Sequence, residues 1–303
     1  MLNGGRLQKR LKQTIRWSLP DWFLVIRNHS KAHGKFPRLL RPQTFNDKIL
    51  HRLLFDRRPL WTQLTDKAAV RTYVAEQLGS SILPKLYFLT TRPESIPLAE
   101  LPDRFVVKAT HGSQMVRIVT EKSSLDAAEL IETCQAWLQF SWYQETREWA
   151  YKRIKPQILV EEFIENGSDT VPPDYKLFVF HGRVEIIQIH IDRFGTHRQR
   201  LFTRDWQQLD VELEYPDAAG DIPRPTNLGE MITAAERLGE GLNFIRADLY
   251  DVGSRIYFGE LTVYPDGGCG RFSRPAFDRK LGDIWNHGNG DGTALARWTV
   301  RGG

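Results

Sequence analysis

Hydrophobic residues recur at helical spacing through the first quarter of the chain. The segment "TFNDKILHRLLFDRRPLWTQLTDKAAVRTYVAEQLG" alternates apolar and polar residues with this period, and Gly79 stands where a helix C-cap is expected. We therefore predict helices over residues 44–79. Upstream, "SLPDWFLVIR" is typical of the start of another helix, with Ser18 as its cap and Pro20 in its first turn.

The pattern changes to short hydrophobic runs from "LPKLYFL", which predicts a first strand. The stretch "RFVVKATHGSQMVRIV" predicts two strands, 105–109 and 116–119, that pair as a hairpin. A helix is predicted next over "SSLDAAELIETCQAWLQF", with Ser123 or Ser124 as its cap.

Strands dominate the remainder of the chain. They are predicted over "PQILVEEFI", "DYKLFVFHGRVEIIQIHIDRF", "HRQRLFTRDW", "FIRADLY" and "RIYFGELTVY", and one helix, "NLGEMITAAERLGEGL", interrupts them. The glycine-rich end, "NHGNGDGTALARWTVRGG", is expected to fray. Strands and helices without a regular βαβ alternation predict an α+β fold rather than a doubly wound sheet.

Composition restricts the class of protein. The chain has 303 residues, of which 41% are apolar, so it can bury a substantial core. No run approaches the roughly 18 apolar residues of a membrane span, and the N-terminus lacks the apolar region of a signal peptide, so we expect a cytoplasmic protein. Cys134 and Cys269 are too few for a disulfide framework or a cysteine zinc site. His29 and His33 have the spacing of two zinc ligands on a helix, but no further Cys or His joins them, so solvated or capping roles are expected.

The net charge of +5 is concentrated at the N-terminus, where residues 1–58 contain fourteen Lys and Arg and three acidic residues. Within residues 1–27, "RLQKRLKQTIRW" places apolar residues four apart among basic ones, which would suit peripheral contact with an anionic membrane surface. A helix that covers the core with a solvated basic face explains the pattern equally well. Nucleic acid is not an expected partner, because the segment lacks interleaved aromatic residues for stacking.

Lys108 interrupts the hydrophobic strand 105–109. Such a lysine either reaches the surface along its aliphatic stem or stays partly buried beside a negative partner. The loop that follows offers backbone N–H groups and the hydroxyls of Thr110 and Ser113, and a loop of this kind can bind phosphate above a lysine. The segment does not have Walker A spacing.

Two acidic residues fall on the last pair of predicted strands. Residues two apart share a face of a strand, so Arg246 projects with Asp248, and Glu260 projects with Thr262. If the turn between the strands has an odd number of residues, both pairs lie on one face, where two carboxylates can hold one Mg²⁺ that also binds phosphate. The alternative is a surface ion pair of Arg246 with either carboxylate, which would contribute little.

Six short segments occur in a characteristic order: "TDK", "FVVKATHGS", "ILVEEFI", "DYK", "RAD" and "GELT". Together they resemble the ATP-grasp superfamily. The longer stretches "TFNDKI", "REWAYKRIKPQILVEEFI", "PDYKLFVFHGRV" and "FGELTVYPDGG" resemble its TupA-like group, which is linked to teichuronopeptide and other bacterial polysaccharide synthesis. The resemblance extends from about Phe45 to about Trp285.

The resemblance implies an α+β, ATP-grasp fold, in which two subdomains sandwich ATP, and a role for each matching residue. The implied catalytic residues are Arg246, Lys108 and Lys176. The implied ATP contacts are Lys67, Lys108, His111, Gly112, Ser113, Glu161, Glu162, Phe163, Ile164 and, at the ribose, Asp174. The implied Mg²⁺ ligands are Asp248, Glu260 and Thr262. Candidates for contact with substrate are Arg193, Arg198, Arg200, Gly267 and Gly268.

The chain departs from the wider superfamily in two respects. Thr262 stands where asparagine is usual, and its hydroxyl is a poorer metal ligand, which puts a second metal in doubt. The N-terminal region is helical and short where many relatives have a full α/β domain. We expect a basic helical segment over 1–44, a helical region over 45–95, a small subdomain over 96–160, a large subdomain over 161–285 and a flexible tail over 286–303.

The implied activity is that of a carboxylate–amine ligase. A substrate carboxylate would attack the γ-phosphate of ATP to give an acylphosphate, and an amine would convert it to an amide; a polysaccharide or lipid-linked acceptor would fit this chemistry. The chain contains no motif for a serine or cysteine nucleophile. A kinase that uses the same ATP site, a glycosyltransferase, and a non-catalytic factor at the membrane surface remain alternatives.

Overall fold

Two antiparallel sheets form the framework of the protein. The structure is a computed structural model that describes residues 17–165, 172–191, 198–217, 220–288 and 295–300. The strands are β1 (Leu86–Thr90), β2 (Phe105–Ala109), β3 (Val116–Val119), β4 (Ile158–Glu162), β5 (Asp174–Phe180), β6 (Arg183–Ile191), β7 (Arg198–Thr203), β8 (Phe244–Val252) and β9 (Arg255–Thr262). The smaller sheet has the order β1-β4-β2-β3, and the larger sheet has the order β7-β6-β5-β8-β9.

Helices surround the two sheets. They are α1 (Asp21–His33), α2 (Phe45–Phe55), α3 (Pro59–Thr65), α4 (Val70–Leu78), α5 (Ala127–Gln139), α6 (Trp142–Thr146), α7 (Leu228–Leu238) and α8 (Pro275–His287). Short 3₁₀ turns lie at Ser80–Ile82, Pro93–Ser95, Lys122–Ser124, Trp149–Arg153, Pro265–Gly268 and Ala296–Trp298. The predicted α+β class is confirmed. None of the helices in the described ranges is both long and apolar enough to cross a bilayer.

The helical prediction for residues 44–79 is confirmed as three consecutive helices. Thr44 and Asp47 form a reciprocal capping box at the start of α2, Pro59 opens α3, and Gly79 is the C-cap of α4 with a φ of 83°. Arg52 fixes α2 to the large sheet, because its buried guanidinium donates to the carbonyl oxygens of Val263 at 3.2 Å and Phe244 at 3.0 Å.

Two predicted helix caps are wrong. Asp126 caps α5 by accepting hydrogen bonds from the backbone N–H groups of Ala128 and Glu129, whereas Ser123 and Ser124 lie in the preceding 3₁₀ turn. An aspartate that immediately precedes a helix reaches these amides directly, and more distant serines do not. At α1 the N-cap position is Pro20 itself, so Ser18 is not the cap.

The large sheet has one apolar face and a second face that is apolar at one end and polar at the other, which we call the divided face. Helix α7 packs against β5, β6 and β8 on the apolar face. On the other face, Phe178, Phe180 and Phe244 pack around the ring of Phe45 from α2. Farther along this second face the residues become polar, beginning with Lys176. Helix packing therefore covers half of the second face and leaves the other half for a binding site.

The small sheet is also two-sided. Val107, Ala109 and Val160 lie in an apolar cluster with Leu130 and Cys134 of α5. Because strand residues alternate between faces, the neighbours of these residues, which include Lys108 and Glu161, project from the side away from α5.

His29 and His33 are packed rather than solvated. The buried Nδ1–H of His29 donates to the carbonyl oxygen of Gly268 at 3.0 Å, and the two imidazole rings stack with centroids 4.3 Å apart. Desolvation, and then the neighbouring His29, lowers the pKa of His33 to about 4. Across the described ranges, no three His, Cys, Asp or Glu side chains are grouped so that they could hold a metal ion. The expected solvated role is therefore wrong, and the pair links α1 to the turn at 265–268.

Part of the C-terminal segment packs against the core. Leu295 and Trp298 are buried, and the indole of Trp298 meets the edge of Phe277 with ring centroids 5.2 Å apart. The prediction of a frayed end is wrong for residues 295–300, because a large aromatic side chain gains more from burial than the segment loses in chain entropy. Residues 289–294 and 301–303 lie outside the described residues.

Candidate active site

Lys108, on strand β2 of the small sheet, has a negatively charged partner. Lys108 Nζ forms an ion pair with Glu161 Oε1, and the guanidinium of Arg71 lies 3.5 Å from the other oxygen of the same carboxylate. The side chain of Lys108 is 20% exposed, so its ammonium lies at the boundary between protein and solvent. Of the two sequence interpretations, the partly buried ion pair is confirmed.

The loop at 110–115 closes one end of this polar face. Lys67 Nζ donates to the carbonyl oxygen of Gly112 at 2.7 Å and lies 3.9 Å from Glu260 Oε2 on the large sheet. The backbone N–H groups of Ser113 and Gln114 form no hydrogen bond within the described part of the chain. Lys67 therefore bridges the loop and the second sheet, and the loop retains donors for an anionic ligand.

His111 does not belong to the polar face. Its imidazole is buried, and Nε2–H donates to the carbonyl oxygen of Trp137 at the end of α5. The structure therefore does not support the expected contact between this side chain and ATP. The side chain instead anchors the loop to α5.

The large sheet presents a matching row of charged residues. Arg246 lies directly opposite Thr262, and Asp248 lies opposite both Glu260 on β9 and Lys176 on β5. These residues project from the divided face of the large sheet, beyond its phenylalanine cluster. The sequence prediction that Arg246, Asp248, Glu260 and Thr262 share one face is confirmed.

A β-bulge, and not a turn with an odd number of residues, places the two pairs on the same face. Val252 pairs with Arg255, so two residues connect the strands, and the uninterrupted register would place Asp248 opposite Gly259. The register shifts at Gly259, and the shift brings Glu260 opposite Asp248. A Cβ atom on Gly259 would lie 2.9 Å from the backbone oxygen of Asp248. Glycine is therefore required where the two backbones approach.

We expect Gly259→Ala to destabilise the fold and to displace Glu260 from Asp248. The added methyl group would press on the Asp248 carbonyl and on the Tyr250 ring, which would lie 3.1 Å away. The expected cost is about 2 kcal/mol, in the range of overpacking in a tight core, and urea unfolding measures it. Gly229→Ala is the matched control, because no atom lies within 4 Å of its added Cβ. An equal stability of the two variants would contradict the role of the bulge.

Asp248 is held between two cations. It accepts a bidentate pair of hydrogen bonds from Arg246 at 2.7 and 2.8 Å and one from Lys176 at 2.5 Å. Lys176 is also 2.7 Å from Asp174. Burial alone would lower the pKa of each cation, but the facing carboxylates outweigh it and raise the pKa of both Arg246 and Lys176. Both cations are therefore permanently charged.

The donor set fits a single Mg²⁺. Magnesium is bound through one or two carboxylates and completes its shell with phosphate and water. Asp248 and Glu260 present two carboxylates on one face, and an ion would replace one of the cation contacts of the buried Asp248. The Glu260 side chain is 40% exposed and can reach an ion in the cleft. Thr262 donates its hydroxyl hydrogen to Glu260 at 3.2 Å and thereby positions this carboxylate.

A cavity of about 390 Å³ adjoins this row. Arg246, Glu260 and Thr262 form one wall, and Ser113 of the loop contributes to another. The sequence interpretation did not include a further residue in the wall, Glu148, which immediately precedes the 3₁₀ turn Trp149–Arg153. The only signal that could have identified it is a carboxylate inside the aromatic stretch "WYQETREWAY".

A second cavity, of about 480 Å³, lies at the other end of β9. It contains Glu162, Phe163 and Ile164, which the resemblance assigns to the adenine, together with Tyr257. Asp174 lies in the same row of the sheet as Tyr250 and Tyr257, and it is buried beside Lys176. The two cavities therefore lie near opposite ends of β9, and we call the space between the charged residues of the two sheets the cleft.

Other expected substrate contacts lie elsewhere. Arg200 pairs in register with Ile189, which is aligned with Tyr175 and Leu249, so Arg200 and Arg198 project from the face that α7 covers. Arg200 is bound to Asp217 at 2.8 Å. The prediction that both arginines contact substrate in the cleft is therefore wrong. A shift of one residue along a strand moves a side chain to the opposite face of the sheet. Arg193 lies outside the described residues.

The glycine turn does not offer the expected backbone donors. Gly267 lines the first cavity, but its N–H donates to the carbonyl oxygen of Tyr264 at 3.0 Å. Gly268 packs against α2, where an added Cβ would lie 2.7 Å from the side chain of Leu50, and its carbonyl oxygen accepts from His29. The proposed binding of a substrate carboxylate by these two residues is therefore not supported.

Three solved structures to which the chain is similar are described as ligases. The chain is 16% identical to the D-alanine–D-alanine ligase from Bacillus anthracis in complex with ATP, with a TM-score of 0.40, over 67% of this chain and 54% of that one. It is 18% identical to an L-amino acid ligase from Bacillus licheniformis, with a TM-score of 0.46, over 74% of this chain and 49% of that one. For the ATP-grasp ligase PsnB in complex with a minimal precursor, the identity is 13%, the TM-score is 0.41, and 76% and 64% of the two chains are covered. The chain thus matches between about half and two thirds of the length of these proteins.

Sequence comparison supplies the family. No curated protein matches the chain. The sequence model of the TupA-like ATP-grasp family matches residues 47–286, which include both sheets and every charged residue of the cleft. This chain therefore belongs to the TupA-like ATP-grasp family.

Proposed function

We propose that the protein is an ATP-dependent carboxylate–amine ligase. The observation that carries the proposal is the pair of charged rows that face the cleft, with Lys108 and Lys67 on one side and Arg246, Asp248 and Glu260 on the other. The cations can bind the phosphates of a nucleoside triphosphate, and the carboxylates can bind the divalent ion that accompanies it. Family membership supports the same conclusion.

ATP would lie along β9. The adenine would occupy the cavity that contains Phe163 and Tyr257, and the triphosphate would extend towards Lys108 and Lys67 under the loop at 110–115. The ammonium of Lys108 would exchange part of its contact with Glu161 for phosphate oxygens. Lys67 would hold the loop through Gly112 while its charge faces the γ-phosphate.

The first step forms an acylphosphate. A substrate carboxylate oxygen attacks the γ-phosphorus, the bond to the oxygen that bridges to the β-phosphate breaks, and ADP leaves with that electron pair. Asp248 and Glu260 would hold Mg²⁺, which offsets negative charge on the phosphate oxygens. Arg246, held by Asp248, presents its remaining N–H groups at the edge of the first cavity.

The second step forms an amide. The amine nitrogen attacks the acyl carbon, the carbon–oxygen bond to phosphate breaks, and the nitrogen loses one proton as inorganic phosphate leaves. Arg246 would stabilise the developing oxyanion, a contribution of about 3 kcal/mol for one such donor. A polymeric acceptor would suit this chemistry, and we extend the proposal to the synthesis of a bacterial cell-surface polysaccharide or teichuronopeptide.

A coupled assay of ADP release over a matrix of amino acids and uronic acids tests the proposal. We expect ADP and phosphate in equal amounts, together with an amide product in the mass spectrum. A product that retains the phosphate would identify a kinase instead. Stabilisation in a thermal-shift screen by UDP-sugars, but not by ATP–Mg²⁺, would favour a glycosyltransferase.

Peripheral membrane contact is a secondary proposal. Trp17, Trp22 and Phe23 are exposed in the part of residues 1–27 that the structure describes, and Arg27, four residues after Phe23 on α1, is also exposed. Aromatic and basic residues together favour an anionic lipid surface. We expect sedimentation with vesicles that contain phosphatidylglycerol, and weaker sedimentation of Trp22→Ala. Equal sedimentation of the two proteins would argue against this surface.

A further inference from the structure

One carboxylate in the first cavity has no counter-charge. Glu148 lines the cavity, and Oε1 accepts a hydrogen bond from Trp142 Nε1 at 3.3 Å. In the described ranges, no Lys or Arg forms an ion pair with it. The other carboxylates of the two charged rows each have a cation, as in the pairs of Glu161 with Lys108 and Asp248 with Arg246.

An added cation would stabilise the ionised carboxylate of Glu148. Desolvation, with smaller contributions from the charges of Asp266 and Glu260, raises the pKa of this carboxyl to about 7 against the opposing hydrogen bonds from Trp142 and Thr146. Four acidic side chains line the cavity, with Arg246 as the one Lys or Arg among its lining residues; the acids are Glu145, Glu148, Glu260 and Asp266. Arg246 already has Asp248 as its partner. A bound cation would therefore relieve the repulsion that Asp266 and Glu260 exert on Glu148.

The backbone directs Glu148 into this position. Arg147 has a φ of 65°, and its buried side chain donates to the carbonyl oxygens of Trp17 at 3.1 Å and Leu19 at 3.3 Å. This left-handed residue ends α6 and reverses the direction of the next side chain. The backbone N–H of Glu148 then donates to the hydroxyl of Thr146 at 3.2 Å. The carboxylate is thus oriented from both sides and does not depend on a ligand for its position.

We propose that Glu148 binds the ammonium group of the acceptor amine in the cavity beside Arg246 and accepts one of its protons, which leaves the neutral amine nitrogen free to attack the acyl carbon. This inference rests on the proposed ligase function and assigns one substrate to one part of the site. Trp142, Tyr151 and Tyr264 contribute aromatic rings to the same walls, and such rings favour an organic cation over a hydrated metal ion. The acceptor would therefore be a primary amine, such as an amino acid or an amino-substituted polymer. The carboxylate substrate would react at the Arg246 end.

Glu148→Gln tests the proposal, because glutamine retains the acceptor for Trp142 but removes the charge. We expect the KM for the amine to rise by about tenfold or more, the effect of leaving one partner of a buried charge pair unpaired. The KM values for ATP and for the carboxylate should not change. Hydroxylamine is neutral at pH 7.5 and intercepts acylphosphates without an ammonium site, so hydroxamate formation should continue at the wild-type rate. Glu132→Gln, at an exposed position of α5, is the matched control.

The outcomes separate this inference from the ligase proposal. Equal losses of amide and hydroxamate in Glu148→Gln, or no loss of either, would overturn the role of Glu148 while the ligase function stands. A wild-type protein that forms no hydroxamate with any carboxylate would overturn the ligase function. In that case calorimetry with glycinamide, an ammonium without a carboxylate, decides the inference. Binding that disappears in Glu148→Gln supports an ammonium site, and absence of binding to the wild type excludes it.

Discussion

Alanine at Lys108 or at Glu260 is expected to reduce ADP release by about 100- to 1,000-fold, the effect of removing one preorganised charged group from a transition state. The Lys108 variant would lack a cation beside the transferring phosphate, and the Glu260 variant would lack a metal ligand. Neither change should unfold the protein. Arg71 remains beside Glu161 when Lys108 is removed, and the Glu260 side chain is 40% exposed.

Steady-state assays of ADP formation measure this effect. Lys155→Ala and Glu230→Ala are matched controls, because both positions are exposed and lie outside the cleft. Circular dichroism checks that all four variants retain their secondary structure. If either cleft variant turned over ATP at the rate of its control, the assignment of the two charged rows would fail.

Asp248→Asn is expected to lower the free energy of unfolding by about 3 kcal/mol, because removal of one partner leaves buried cations uncompensated. Asp248 is 2% exposed and bonded to both Arg246 and Lys176. Asn has the same shape, so the loss would reflect charge and not packing. Asp283→Asn is the matched control, because the Arg279–Asp283 pair lies on the surface with half-exposed side chains, and its loss should cost less than about 1 kcal/mol.

A double-mutant cycle isolates the interaction between Asp248 and Arg246. The combined variant Asp248→Asn, Arg246→Gln should lose less stability than the sum of the single variants, by about 1 kcal/mol or more. Guanidinium chloride unfolding provides the four free energies. Strict additivity would show that the two side chains do not stabilise each other, in contradiction to the bidentate contact.

Local sequence patterns predicted most of the elements correctly because their signals are local. The helical spacing of the hydrophobic residues in 44–79 predicted helices, and the hydrophobic run on either side of Lys108 predicted a strand. The caps were less predictable. Asp126 and the two nearby serines are all good capping residues, and the choice depends on which of them adjoins the first amides of the helix. Arg198 and Arg200 were misplaced for a related reason, since the face of an edge strand depends on pairing with β6 and not on the composition of β7.

The structure also changed the interpretation of individual side chains. His111 follows a phosphate-type loop in the sequence, but burial against α5 removes it from the cleft. Gly268 follows Glu260 in a flexible-looking turn, but α2 covers it. Glu148 is marked in the sequence only as a carboxylate within an aromatic stretch, and its lack of a Lys or Arg partner among the described residues is visible only when the walls of the cavity are assembled.

The sequence by itself determined the α+β class, the order of the strands along the chain, the family, and the positions of Lys108, Arg246, Asp248 and Glu260 on strands that could form a site. These properties depend on residue type and on spacing along one strand or helix. The tertiary structure alone decided which carboxylates meet which cations, that a bulge at Gly259 aligns Glu260 with Asp248, and that Glu148 lines the same cavity. Such contacts join residues far apart in the chain, and their geometry depends on strand register and helix packing, which no local pattern encodes.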